Sequence, residues 1–231
     1  MNTKIKFFIL FLIIAQYSFS QQDTLSKKFL NEDLTLDVNL LQLQNLPSTA
    51  SMEYKSTEIN ATAYLFITGK EKNVSIALGI TADAFNIYSN FGISKDSTGN
   101  PVLQNISDTV SYAKNKIGIS SVGVPIEIRL KTNKNLRGKN FKFTIGAQMG
   151  YVLSTYRKYK GDDIFFLSKD KIKIKTYGLP GINKITGNLY IKAYYDKFGI
   201  NFRYFVTPVF DTNNNLKNIS MFSVGLSFII F

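Results

Sequence analysis

The residues able to do chemistry in this chain are lysines, arginines and carboxylates. There are 28 Lys+Arg against 16 Asp+Glu, a formal charge of +12, with no His and no Cys. Without His, neither a Ser-His-Asp triad nor an HExxH zinc site can be assembled. Without Cys there is no thiol nucleophile, thiolate metal site or disulfide. No catalytic residue, metal or cofactor is therefore expected. Two charged groups stand out instead. Asp83, Glu127, Arg129, Lys142, Lys192 and Arg203 each occupy the face opposite the apolar row of their own segment. Arg157, Lys158, Lys160, Lys169, Lys171, Lys173 and Lys175, with Lys184, crowd one segment that holds only Asp162, Asp163 and Asp170 as acids. Other motifs carry nothing: Gly118–Gly123 lacks a phosphate-loop Lys, and the run Asp211–Asn215 lacks the Gly and distal Glu of an EF-hand.

The elements that must position these groups are strands. Apolar and small or polar residues alternate with period two almost everywhere, and no segment shows a 3.6-residue apolar stripe. One run sets Phe141, Phe143, Ile145, Ala147, Met149, Tyr151 and Leu153 against Lys142, Thr144, Gly146, Gln148, Gly150 and Val152. Eight such runs lie at about 33–43, 58–68, 74–81, 124–131, 141–154, 189–195, 200–207 and 222–231. Their connections alternate: short at 69–73, 132–140 and 196–199, long at about 44–57, 89–116 and 157–186. Tight turns at one end and long loops at the other are the layout of a transmembrane barrel. The expectation is an all-β, closed antiparallel up-and-down barrel of eight strands. A hairpin built on Lys171–Lys175 would make ten.

Membrane insertion explains three further features. The apolar face is nearly free of charge. Tyr151, Tyr195, Tyr204 and Phe222 stand near strand ends on it, as interfacial girdles do. The chain stops on an amphipathic strand carrying Phe228 and Phe231. Phe7–Ala15 is an apolar run after Lys4 and Lys6, followed by Ser18-Phe19-Ser20. Nine apolar residues reach only about 14 Å as a helix, too short for a membrane of about 30 Å. Residues 1–20 read as a signal peptide and 21–231 as the barrel, with the mature chain at +10 once two lysines are removed.

Gly123-Val124-Pro125-Ile126-Glu127-Ile128-Arg129-Leu130-Lys131 resembles a strand of PorT-like outer-membrane β-barrels. Phe143–Ser154, with its Gly146-x-x-x-Gly150-Tyr151 core, is similar to the strand that follows it there. That resemblance implies an outer-membrane barrel of a Gram-negative cell, of a family in which one branch is associated with a secretion apparatus. The aromatic terminus resembles the signal read by the barrel-assembly machinery.

Three functional readings follow. The first is a non-enzymatic outer-membrane barrel with a structural or interaction role, its lumen filled by ion pairs and its basic loop turned to lipopolysaccharide phosphates or an acidic envelope partner. The second is a narrow barrel for small solutes, anion-preferring because bases exceed acids in the lumen set. The third is a soluble lipocalin-like binder. Export argues against nucleic acid as a partner.

Overall fold

The computed structural model describes residues 32–68, 73–164, 170–210, 216 and 218–230. The signal-peptide expectation, Lys169 and Phe231 lie outside them. The chain forms β1 (Glu32–Gln44), β2 (Thr57–Phe66), β3 (Val74–Tyr88), β4 (Phe91–Lys95), β5 (Pro101–Asn105), β6 (Tyr112–Lys131), β7 (Phe141–Asp162), β8 (Lys171–Tyr177), β9 (Ile185–Tyr195), β10 (Phe198–Phe205) and β11 (Ser220–Ile229).

Eight of these strands form a closed barrel in the order β6-β3-β2-β1-β11-β10-β9-β7, with β6 pairing back onto β7. Closure leaves no free edge, which a lipid environment requires of every backbone N–H and C=O. β8 adds to the outer half of β7 alone, from Tyr156↔Tyr177 to Asp162↔Lys171, so the barrel has eight strands and not ten. β4 and β5 make a separate hairpin within the connection expected as a loop at 89–116.

The alternation resolves as the sequence implies. Val124, Ile126, Ile128 and Leu130 of β6 and Phe143, Ile145 and Met149 of β7 are exposed on the outer wall. Glu127, Arg129, Thr144 and Gln148 between them are buried in the lumen. This corrects the lipocalin-like reading, because a soluble barrel would face its apolar row inward around a ligand. At the end of the tight turns, Phe141 pairs with Tyr195, Tyr195 with Phe198, and Phe198 with Phe228. The rings of Phe141 and Tyr195 lie 4.9 Å apart and those of Phe198 and Phe228 5.7 Å apart, forming an aromatic rim along the ends of β7, β9, β10 and β11. From Phe141 to Tyr151, ten residues at about 3.3 Å each and a tilt of about 40° span about 25 Å, the height of an outer-membrane apolar band.

Glycine has a packing role at Gly146. A Cβ there would meet the Tyr190 ring at 2.3 Å, so its absence lets that ring lie flat against the lumen wall.

Candidate functional site

The lumen is layered. Nearest the tight turns, Arg129 contacts both Asp33 and Glu127 and lies 4.7 Å from the rings of Tyr64 and Phe66. The Tyr190 hydroxyl donates to Glu127 at 3.1 Å and sits 3.2 Å from that of Tyr64. At mid-depth Lys192 donates to Asp37 at 2.8 Å. Arg203 reaches Glu58 at 2.8 Å, Asp83 at 3.4 Å and Asp37 at 3.5 Å. Asp83 also accepts from Gln148 at 2.8 Å and Ser121 at 3.1 Å. Arg203 is 1 % exposed and Lys192 2 %, so both charges depend on these partners: an unpaired buried ion costs several kcal/mol.

Two residues further outward on the same strands, the lining turns apolar. Asp83 gives way to Phe85, Arg203 to Phe205, Asn39 to Leu41, Ser121 to Ile119 and Ser223 to Met221, and all ten side chains are buried. Phe85 and Phe205 meet edge to face at 5.6 Å. The connecting segments pack onto this layer through Phe91 and Ile93 of β4, with Leu179, Val209, Phe210, Leu216 and Ile219. An apolar stopper therefore closes the long-loop end above the ion-paired layers.

Beyond the barrel, β6, β7 and β8 continue as a three-stranded sheet. Crossing a membrane takes about 9–11 residues per strand, whereas β6 has 20 and β7 has 22. At the exit the register steps from Ser121↔Val152 to Ser120↔Ser154, leaving Leu153 unopposed as a bulge. Beyond it the cross-strand partners are Lys116↔Lys158↔Lys175 and Lys114↔Lys160↔Lys173. The opposite face carries Asn115, Arg157 and Tyr159, where Arg157 Nε donates to Asn115 Oδ1 at 2.8 Å. Burial lowers the Arg157 guanidinium below its ordinary pKa. Tyr159 packs there with Ile106 and Val110.

A family model described as "Outer membrane protein beta-barrel domain" matches residues 15–212. The chain belongs to that family. Its place is accordingly the outer membrane, with the apolar wall against lipid and the tight turns on the periplasmic side. Among solved structures, this outer membrane β-barrel is similar to Ail, the attachment invasion locus protein of Yersinia pestis, in complex with the heparin analogue sucrose octasulfate. The two chains share 9% identity over 86% of this chain and 96% of that one, with a TM-score of 0.34. At that score the likeness is coarse. No curated protein matches the sequence.

The sequence-derived lumen set is brought together for five of its members. Asp83, Glu127, Arg129, Lys192 and Arg203 are buried and interlinked. Lys142 is half-buried, in register with Lys131 at the periplasmic end, and has no carboxylate partner among the described residues. The set was incomplete. Asp33, Asp37 and Glu58 are buried there too, giving five carboxylates to four bases among the described lumen residues. That corrects the expected basic excess and removes the ground for anion preference. Asp37 was legible, since it shares the face of Thr35 and Asn39. Glu58 shares that of Asn60 and Thr62.

The basic loop divides. Lys158, Lys160, Lys173 and Lys175 share the outward face, and Lys171 is tied to Asp162 on the next row. Arg157 turns to the packed face, so it leaves the expected group. Lys114 and Lys116 join the group from β6. No carboxylate-and-histidine cluster exists, and among the described residues no group of three ligands could hold a metal.

Proposed function

We propose that this outer membrane β-barrel acts by contact rather than catalysis, as a structural or interaction protein of the cell envelope whose working surface is the sheet outside the membrane. The observation that carries this reading is the two-layer closure of the lumen. Arg203, Lys192 and their carboxylates fill the middle, and the stopper around Phe85 and Phe205 closes the outer end. Eight strands enclose only enough space for side chains, and the lining gives a solute neither a continuous wet path nor a net charge of one sign to follow.

Several finer readings belong to the same proposal. Export by residues 1–20 is supported by the charged and apolar layout of that segment. Affiliation with PorT-like outer-membrane barrels is supported by Gly123–Lys131 and Phe143–Ser154. Insertion by the barrel-assembly machinery is supported by Phe228 on the aromatic rim, on the amphipathic last strand. An envelope protein partner fits a surface-projecting sheet with no catalytic group.

The test is conductance in planar bilayers combined with crosslinking in intact outer membranes. The expected result is folded protein without resolvable channels and one or more crosslinked envelope partners. Steady single-channel openings from the folded protein would overturn the reading in favour of transport.

A further inference from the structure

The projecting sheet holds an arrangement that the closed lumen leaves unexplained. Directly opposed residues in antiparallel strands point to one side, so Lys114, Lys116, Lys158, Lys160, Lys173 and Lys175 form two rows of three on one face. Neighbours stand about 5 Å apart across the strands and about 7 Å along them. Like charges placed opposite one another destabilise a sheet, and none of the six is paired with a carboxylate among the described residues. Their hydrogen-bond and ring contacts are with neutral groups: Lys116 donates to Asn86 at 2.7 Å and lies 5.4 Å from the Tyr156 ring. Lys175 sits 4.7 Å from Tyr156 and 4.6 Å from Tyr177, and Lys114 5.6 Å from Tyr88.

The direction in which the grid faces identifies what it meets. On β6, Lys114 and Lys116 have the same parity as Val122, Val124, Ile126, Ile128 and Leu130, the lipid-facing row. On β7 the extra residue at Leu153 shifts the parity, which carries Lys158 and Lys160 onto that same outer wall. Moving outward from the membrane, the wall reads Val122 and Tyr151, then Ser120 and Ser154, then Tyr156 and Tyr177, then the two lysine rows. Six to eight residues at about 3.3 Å and a tilt of about 40° put those rows about 15–20 Å above the Val122–Tyr151 level. The lysines thus face sideways, over the lipid that surrounds the barrel, and not upward into the medium.

We infer that this grid binds the phosphate groups on the glycan headgroups of outer-leaflet lipopolysaccharide standing against the β6–β7–β8 wall. Phosphates anchored beside an apolar wall meet the two halves of the surface together: acyl chains on Val122, Val124 and Ile126 in the outer half of the band, sugars on Tyr156 and Tyr177, phosphates on the lysine rows. Lysine suits this role as a mobile point charge able to follow phosphates of variable position. The inference rests on the membrane orientation but needs no property of the lumen.

The experiment uses the full barrel, folded in phospholipid vesicles containing lipopolysaccharide, the same lipopolysaccharide with its phosphates removed, or neither. Bound lipopolysaccharide per barrel is measured after detergent extraction across a salt series. The wild type is expected to retain phosphorylated lipopolysaccharide in preference to the dephosphorylated form, with retention falling as salt rises. Replacing all six lysines with Gln is expected to reduce retention about tenfold or more and abolish the preference. Heat-modifiable gel mobility checks folding. Should the sixfold variant fail to fold, K160Q/K173Q/K175Q, confined to exposed positions, is expected to show the same loss in smaller degree. Equal retention by folded wild type and variant overturns the inference. So does a grid occupied only by soluble polyphosphate added as competitor, with no preference for the phosphorylated membrane. Neither outcome affects the closed-lumen reading, which conductance tests separately.

Discussion

Arg203 and Phe205 lie two residues apart on the lumen face of β10 and mark the boundary between two kinds of interior. Arg203 is held across the lumen by Asp37 of β1, Glu58 of β2 and Asp83 of β3. Phe205 stacks edge to face on Phe85 in the apolar stopper. A charge bound at mid-depth and a dry layer directly outside it account for a barrel that is filled and not bored.

The charged layer is predicted to be costly to break and inexpensive to replace. Glu58→Gln leaves Arg203 buried with one carboxylate fewer, and removing one partner of a buried pair costs about 3–5 kcal/mol. The double variant Glu58→Leu/Arg203→Met should lose much less. Guanidinium unfolding of the micelle-bound protein, read by gel mobility, measures both; equal losses would refute the coupling.

The two layers should close the barrel independently. Phe85→Ala and Phe205→Ala each open a cavity and should cost about 3–5 kcal/mol. Neither should conduct, because the ion-paired layer beneath stays intact. Conductance from Phe205→Ala alone would show the stopper to be the whole barrier.

The outer wall should respond to charge according to depth. Ile145, halfway between the rim residue Phe141 and the level of Tyr151, is exposed to lipid, and Ile145→Lys should cost about 2–4 kcal/mol. Phe141→Lys, at the periplasmic rim, should cost about 0–1 kcal/mol in charge terms. Folding titrations into vesicles test the pair, and equal costs would contradict the assigned membrane height.

The β4–β5 turn should loosen in acid. The Thr98 hydroxyl, with the Asn100 backbone amide, holds the Asp96 carboxyl below its ordinary 3.8. A depressed carboxylate stabilises the turn above 3.8 and loses that contribution as pH falls through its lowered value. Amide exchange at Thr98 and Asn100 should accelerate over that acid range in the wild type. In Asp96→Ala it should be fast and independent of pH-linked turn opening throughout.

Much of this molecule is written in local alternation. A strand places neighbours on opposite faces, so the parity of Lys192, Arg203 and Glu127 was enough to put them inside, and that of Ile145 and Val124 to put them outside. Loop lengths ordered the two ends. Even the stopper left a trace, since Phe205 follows Arg203 on the same face.

Parity could not say which charge meets which. Arg203 and Glu58 are 145 residues apart and are joined only when β6 closes onto β7 and fixes the stagger of every strand between. Nor could it show that a single unopposed residue, Leu153, would turn Lys158 and Lys160 onto the lipid side, level with Lys116 and Lys114. The sequence by itself determined the eight barrel strands, their faces and the membrane, because those depend on a period of two. Only the tertiary structure decided the ion pairs and the lysine grid, because register and bulges are properties of two chains of contacts meeting, and one strand read alone contains neither.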